Sequence, residues 1–466
     1  MTDSENNEKS DALPESAVDD TPRIESTPIT ENAGEERTTE HGVDEYLPAP
    51  KADRKEGIAL CLSGGGFRAA LFHLGAARRL NELGILSQVH SISSVSGGSV
   101  FSAHLAQCIP VWPAPGELLP DWDAQVAEPF RRFAGTNIRT VALLSRLRHF
   151  NDPAAPIKKL AVRYDTLLKG MRLADLPQHP RFIFCATDMV FGTNWTFERE
   201  RVGDYMVGHM PTPQDWPLAM AVAASSCFPP VFEPLPLELK FGELKGGSAS
   251  EEDRRALTDK VHLTDGCVYD NMGLEPVWKK AGTVLVSDGG AKFSYEWEKS
   301  LPGRILRYTS VQGNQASAVR KRWLIASFIS SKSNGPYGKQ YGMEGVYWGI
   351  ASATSHYTAH KSDPAPRGYR EDVVRERIAP IRTDFDAFTK AEIAVLENHG
   401  YLLADAAIKR HLQHLIKEDA ELRPPHGKDH EKDYENDEWV CDNLKDTGRR
   451  ILGRPFPALP FVDHKR

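Results

Sequence analysis

The chain has 466 residues, of which 40% are hydrophobic and 26% charged. That balance fits a soluble globular protein, and without an apolar run of about 18 residues no membrane-spanning helix is expected. The net charge of −7 is unevenly spread: residues 1–50 hold 14 acidic and 3 basic side chains, a net of −11, which leaves the remainder at +4. So weakly basic a body argues against a nucleic-acid partner and is compatible with peripheral contact at an anionic membrane surface.

Residues 1–50 are acidic, polar and nearly free of aromatics, so they are expected to be disordered. Their first stretch, MTDSENNEKSDALPES, lacks the basic and apolar blocks of a leader, and a cytoplasmic location is expected. Six cysteines without a C-x-x-C pair fit reduced, mostly buried thiols. Order should begin near Arg54. GIALCLS (57–63) predicts a buried strand, and Ala70, Leu74, Ala77, Leu80 and Leu83 recur at helical spacing up to a stop at Gly84. VHSISSVS predicts a second strand, followed by a helix marked by Phe101, Leu105 and Cys108. Strand, helix, strand, helix in this order implies an α/β fold with a mainly parallel sheet.

Residues 110–175 are Pro-rich and then basic and amphipathic, as an insertion or cap would be. Arg132, Arg139 and Arg146 recur every seven residues there, which suits either a helix packed on the core or one lying on a membrane. RFIFCATDMV (181–190) predicts a buried strand. WPLAMAVAASSCF (216–228) predicts a helix stopped by Pro229 and Pro230. Residues 243–260 are Gly- and charge-rich, the composition of a mobile loop. GTVLVSDGG (282–290) predicts a late strand, 385–417 a helical region, and 418–450 is highly charged. N-W-T at 194–196 fits a glycosylation sequon but falls where a strand and turn are expected.

The stretch with chemical content is SSVSGGS. A serine hydroxyl is a poor nucleophile unless it is positioned and deprotonated. A strained strand-to-helix turn presents it, and small neighbours let the backbone fold back. Ser96 has Ser94 at −2 and Gly97 and Gly98 at +1 and +2. It could form such an elbow, although Ser94 stands where G-x-S-x-G has glycine. Upstream, SGGGFR sets three glycines between a strand and a helix. Their amides, at the positive end of a helix dipole, could hold a phosphate or an oxyanion. The pattern is neither G-x-x-x-x-G-K-[ST] nor G-x-G-x-x-G, so a nucleotide is disfavoured. Asp265 in LTDGCVYDN and Asp288 in VLVSDGG both end apolar stretches and precede glycine, and spacing alone leaves both open as the base. Histidines show no metal-ligand spacing, so neither a metal nor another cofactor is expected.

GGGFRA, SSVSGGS about thirty residues later, FCATDMVFGTNWTF, ASSCFPPVFEP and TDGCVYDNMGLEP follow one another in this order. Together they resemble the patatin-like phospholipases, the lipid acyl hydrolase family that includes the cytosolic phospholipase A2 catalytic fold. The resemblance covers about residues 56–295. It implies a three-layer α/β/α fold and a Ser–Asp dyad without histidine. Ser96 would be the nucleophile and Asp265 the base. Gly64, Gly65 and Gly66 would form the oxyanion hole, with Arg68 following them; one turn into the helix, Arg68 could steady the loop or bind substrate through a lipid phosphate, or be a surface helix arginine. Cys267 stands where the family's DG motif usually continues with Gly or Ala, and Asp288 would be structural. The expected organisation is an acidic segment over 1–50, a catalytic domain over 54–300 and a largely helical extension over 301–466, packed on or continuing that domain; the resemblance itself says little about 1–50 or 300–466.

The expected function is therefore a phospholipase A-type serine hydrolase acting on phospholipids or other acyl lipids. Two alternatives remain: an α/β-hydrolase with the triad Ser96, Asp288 and His356, and a non-catalytic lipid- or partner-binding protein on the same fold.

Overall fold

The computed structural model describes residues 56–147, 151–291, 293, 300–333 and, with short gaps, 335–455. The acidic segment 1–50 lies outside the described residues. The described residues form one compact unit, built on a sheet ordered β10-β9-β1-β2-β3-β4-β5-β6. Its parallel half consists of β10 (Glu344–Gly349), β9 (Ala281–Asp288), β1 (Glu56–Leu62), β2 (Val89–Val95) and β3 (Arg181–Asp188). Its antiparallel half continues through β4 (Thr193–Phe197), β5 (Arg201–Asp204) and β6 (Gly208–Pro211). Off this path, β7 (Leu235–Pro236) pairs with β8 (His262–Asp265), and β8 pairs antiparallel with β3.

Side chains alternate across a strand, so a sheet covered on both faces needs apolar residues in unbroken runs. β1 does this: Ile58, Leu60 and Leu62 enter one core, and Ala59 and Cys61 the other. The first core is filled by α1 (Gly66–Glu82), α2 (Gly97–Cys108) and α10 (Lys390–His411). The second is filled by Met272, Leu274 and Val277 and by Leu324 and Phe328 of the 31-residue α9 (Leu301–Ser331). These are the three layers expected. Among the described residues no helix is long and apolar enough to cross a membrane.

The insertion holds α3 (Glu128–Ala134), α4 (Arg139–Leu144) and α5 (Ala155–Leu168). Its arginines do not make one basic face. Arg139 pairs with Asp384, Arg146 with Glu233 at 3.3 Å, and Arg132 donates to the Glu128 carbonyl at 3.3 Å. α6 (Leu218–Ser225) ends before the two prolines as predicted. The segment 243–260 differs from the loop expected. It carries α7 (Glu251–Leu257), whose N-cap Ser250 accepts from the Asp253 amide at 3.0 Å. α8 (Cys267–Asp270) follows β8 directly. Asn194 of the sequon is buried in β4.

The C-terminal part is woven into the catalytic layers. β10 completes the sheet edge against β9. α10 begins in a capping box in which Thr389 and Glu392 satisfy each other's amides, and it crosses α1 at backbone contact. A Cβ on Gly75 would lie 1.9 Å from the Glu397 carbonyl oxygen, and one on Gly400 would lie 1.9 Å from that of Phe72. Buried charges join the same pair of helices: Arg79 meets Asp405 at 2.7 Å. Neither glycine has room for a methyl group. Gly75→Ala or Gly400→Ala is therefore expected to lower the stability of the whole unit by about 3 kcal/mol, the upper end of overpacking costs. Urea unfolding checks this; an unchanged midpoint would refute the close crossing.

Candidate active site

The site is assembled along one edge of β3. β2 runs parallel to β3 and reaches it at Val95, opposite Cys185. β8 runs antiparallel to the same strand and ends at Asp265, opposite Ala186. Two chain ends far apart in sequence thus arrive at adjacent positions of one strand. Ser96 follows the first and Asp265 terminates the second. Gly266 is required at the junction, since a Cβ there would lie 2.5 Å from the Cys185 carbonyl oxygen.

Ser96 sits at the strand-to-helix turn as the N-cap of α2, with φ 52° and ψ −118°. An L-residue with a side chain is strained there, by on the order of 1–3 kcal/mol, and such strain concentrates at functional turns. The flanking glycines allow the fold-back. A Cβ on Gly97 would lie 2.0 Å from the Gly66 carbonyl oxygen, and one on Gly98 would lie 2.3 Å from that of Leu62. Ser94, the departure from the usual glycine, is part of a buried hydroxyl cluster. It bonds Ser102 at 2.7 Å and accepts from Ser99 at 3.2 Å. Ser225 of α6 completes the cluster. It bonds Ser99 at 2.8 Å, donates to the Cys185 carbonyl at 2.6 Å and accepts the Ser96 amide at 2.9 Å. Ser225 lies within a motif already noted, but nothing in its local pattern signals that it supports the elbow.

Asp265 is fully buried. Burial raises its carboxyl to about 6, against the opposing pull of the Cys267 amide and the Ser96 hydroxyl. The Cys267 amide donates to Oδ1 at 2.8 Å. Oδ2 is buried without a hydrogen-bond partner among the described residues. Burial and the adjacent carboxylate push the Cys267 thiol well up, so it stays neutral.

The glycine loop packs against this pair. A Cβ on Gly64 would lie 3.1 Å from that of Ser96. Gly65 and Gly66 take φ 145° and 59°, conformations open to glycine. The four successive amides from Gly64 to Phe67 differ. Gly64 N–H donates to the Asn271 carbonyl at 3.0 Å, and Phe67 N–H to that of Asp384 at 2.8 Å. Those of Gly65 and Gly66 meet no acceptor among the described residues. The loop is fixed at its start by His73, which bonds Ser287 at 2.8 Å and the Ser63 carbonyl at 2.9 Å. Burial lowers that imidazole to about 4, so it stays neutral.

Arg68 is enclosed by backbone carbonyls rather than open to a ligand. It is 2% exposed, and its guanidinium donates to the carbonyls of Gly289 at 2.9 Å, Ala379 at 2.9 Å and Ile381 at 2.8 Å. Burial lowers it to about 10. It is a strap that ties the glycine loop to β9's end and to the C-terminal segment. Asp288 and His356 do not meet Ser96 as a triad would. Burial opposes ionisation of Asp288, but Lys321, the Tyr347 hydroxyl and the Gly290 amide outweigh it and hold the carboxyl below its usual range. Lys321 stands at 3.2 Å and Tyr347 at 2.7 Å. The His356 side chain is 48% exposed, 3.8 Å from Glu371.

A strap and a ligand respond differently to removal. Arg68→Met leaves three carbonyls without their donor and should cost about 2 kcal/mol or more in thermal unfolding. A surface phosphate ligand could be removed with little effect on stability.

Residues 60–278 match the family model described as patatin-like phospholipase. No curated protein sequence matches the chain. Among solved structures, human GIVD cytosolic phospholipase A2 aligns with a TM-score of 0.43 at 12% identity, over 80% of this chain and 63% of that one. Its complex with methyl gamma-linolenyl fluorophosphonate aligns with 0.43 at 14%, over 78% and 59%. VipD from Legionella pneumophila aligns with 0.31 at 12%, over 77% and 67%. This chain thus covers less than two thirds of the human protein's length, and likeness of this degree says nothing of substrate. The family match does place residues 60–278: this region of the chain is a patatin-like phospholipase domain.

Proposed function

We propose that the protein hydrolyses acyl esters of phospholipids through Ser96 and Asp265. The observation that carries this reading is the arrival of a strained Ser96 and a fully buried Asp265, whose Oδ2 has no partner among the described residues, at adjacent positions of one β3 edge. A carboxyl raised to about 6 is ionised near neutrality yet basic enough to accept a proton. Ser96 Oγ attacks the ester carbonyl carbon as its proton passes to Asp265. The oxyanion develops against the free amides of Gly65 and Gly66, while Gly64 supports the loop through Asn271. Collapse expels the lysolipid alcohol, which takes the proton back from Asp265. Water, deprotonated by the same carboxylate, then attacks the acyl-serine and releases the fatty acid. The triad reading lacks this support, because Asp288 is committed to Lys321 and Tyr347.

Release of fatty acid from phospholipid vesicles tests the assignment. Ser96→Ala should abolish it, and Asp265→Asn should lower kcat by about 10²–10⁴, the range of general-base removal. Asp288→Asn and His356→Ala should keep substantial turnover; loss of activity in these two with retention in Asp265→Asn would overturn the dyad. Since the ionised carboxylate is the base, kcat/KM should rise with pH through about 6.

The same shift has a stability counterpart. A carboxyl raised from about 3.9 in the unfolded chain to about 6 in the fold holds its proton more tightly when folded. Folding stability therefore falls as pH climbs through that window. Asp265→Asn removes the buried charge and should stabilise the protein at pH 8 by up to about 3 kcal/mol, with the gain vanishing below about pH 4. Thermal unfolding of both proteins across this range measures it.

A further inference from the structure

We infer that the N-terminal half of α9 is a membrane-docking helix that seats the protein on an anionic lipid surface. α9 is a 31-residue helix (LPGRILRYTSVQGNQASAVRKRWLIASFISS) with five basic residues and no acidic one. Only its C-terminal part enters the core, through Leu324, Ser327 and Phe328. From 301 to 319 none of the described side chains is buried. Ser300 caps the helix by accepting the Gly303 amide at 3.2 Å, so the exposed half is a finished helix end.

Leu301, Ile305 and Tyr308 are each more than half exposed, and their spacings of 4 and 3 place them on one face of the helix's first two turns, with the exposed Leu306 off that face. Arg304 lies beside this face and Arg307 further round, over the Phe293 ring at 4.2 Å; at the inner end Arg322 lies on the same side as Arg304, whereas Arg320 and Lys321 are paired with carboxylates of the body. An amphipathic helix with apolar residues on one side and cations beside them fits the headgroup boundary of an anionic membrane. A second copy of the chain fits less well, because pairing two such faces sets cation against cation along the helix.

The helix is also attached to the catalytic segment. Arg320 donates to the Tyr269 carbonyl, lies over the Tyr269 ring at 5.2 Å and faces Asp270 at 3.8 Å and Glu275 at 3.7 Å. Lys321 holds Asp288. Val268, three residues after Asp265 in α8, is among the exposed large hydrophobics. A docked α9 therefore holds the segment next to the base close to the lipid surface. What docking delivers rests on the acyl-hydrolase reading; docking itself does not.

The test uses the full chain, sedimented with vesicles of phosphatidylcholine with and without phosphatidylserine. One variant combines Leu301→Ser, Ile305→Ser and Tyr308→Ser; another combines Arg304→Glu and Arg307→Glu. Wild type should bind the vesicles that contain phosphatidylserine, and the binding should weaken with salt. Each variant should lose about tenfold or more of that partition. Hydrolysis of a soluble short-chain ester should be unchanged in both, while release from vesicles falls with binding. Full partition by either variant, or equal binding to uncharged vesicles, would overturn the proposal. So would a finding that the substitutions abolish a dimer and leave vesicle binding intact. Absence of ester hydrolysis in wild type would refute the hydrolase reading alone, since partition is read independently.

Discussion

The register of β3 is the constraint on which the site depends. One strand edge receives β2 at Cys185 and β8 at Ala186, from opposite directions. A β2–β3 slip of one residue would turn alternate side chains of β2 to the wrong face of the sheet. It would also part Ser96 from Asp265. The register is protected because β2 and β3 are buried on both faces, with Ile92, Phe182 and Phe184 in one core and Val95, Ile183 and Cys185 in the other. Packing energy spent on the sheet is thus what holds the serine near the carboxyl.

A second layer of constraint comes from close backbone approach. The elbow, the glycine loop and β1's end meet at distances that exclude a Cβ at Gly97 and Gly98. Two amides of the loop, those of Gly65 and Gly66, are left without acceptors among the described residues, while those of Gly64 and Phe67 are tied to Asn271 and Asp384. The C-terminal segment belongs to this arrangement. It supplies the Asp384 carbonyl and two of the carbonyls that hold Arg68, and α10 fixes the far end of α1. The site also carries costs in stability: a serine at positive φ, and a buried carboxylate without a full set of donors. Sites that need reactive groups commonly hold them at such a cost.

Much of the parallel half of the sheet was legible in the chain. GIALCLS, VHSISSVS and RFIFCATD are apolar runs bounded by glycine or proline, and each became a strand close to its expected limits. The elbow was legible because its glycines are local requirements of a fold-back. What could not be read was set by tertiary contact. β10, EGVYWG, is short and becomes a strand through pairing with β9. The role of Ser225 depends on α6 lying under α2. Arg68 looked like a ligand because a helix arginine after a glycine loop reads as exposed; the carbonyls that enclose it come from residues 289, 379 and 381. The segment 243–260 looked like a loop from its glycines, yet SEED is a capping sequence that starts α7.

The central claim is that Ser96 is made reactive by the Asp265 carboxylate and by no histidine. A serine-directed fluorophosphonate measures this most directly, with the adduct located by peptide mass spectrometry and its rate of formation followed against pH. The adduct should fall on Ser96, form faster as pH rises through about 6, slow strongly in Asp265→Asn and be unaffected in His356→Ala. Labelling of another residue, or of Ser96 at full rate in Asp265→Asn, would contradict the account.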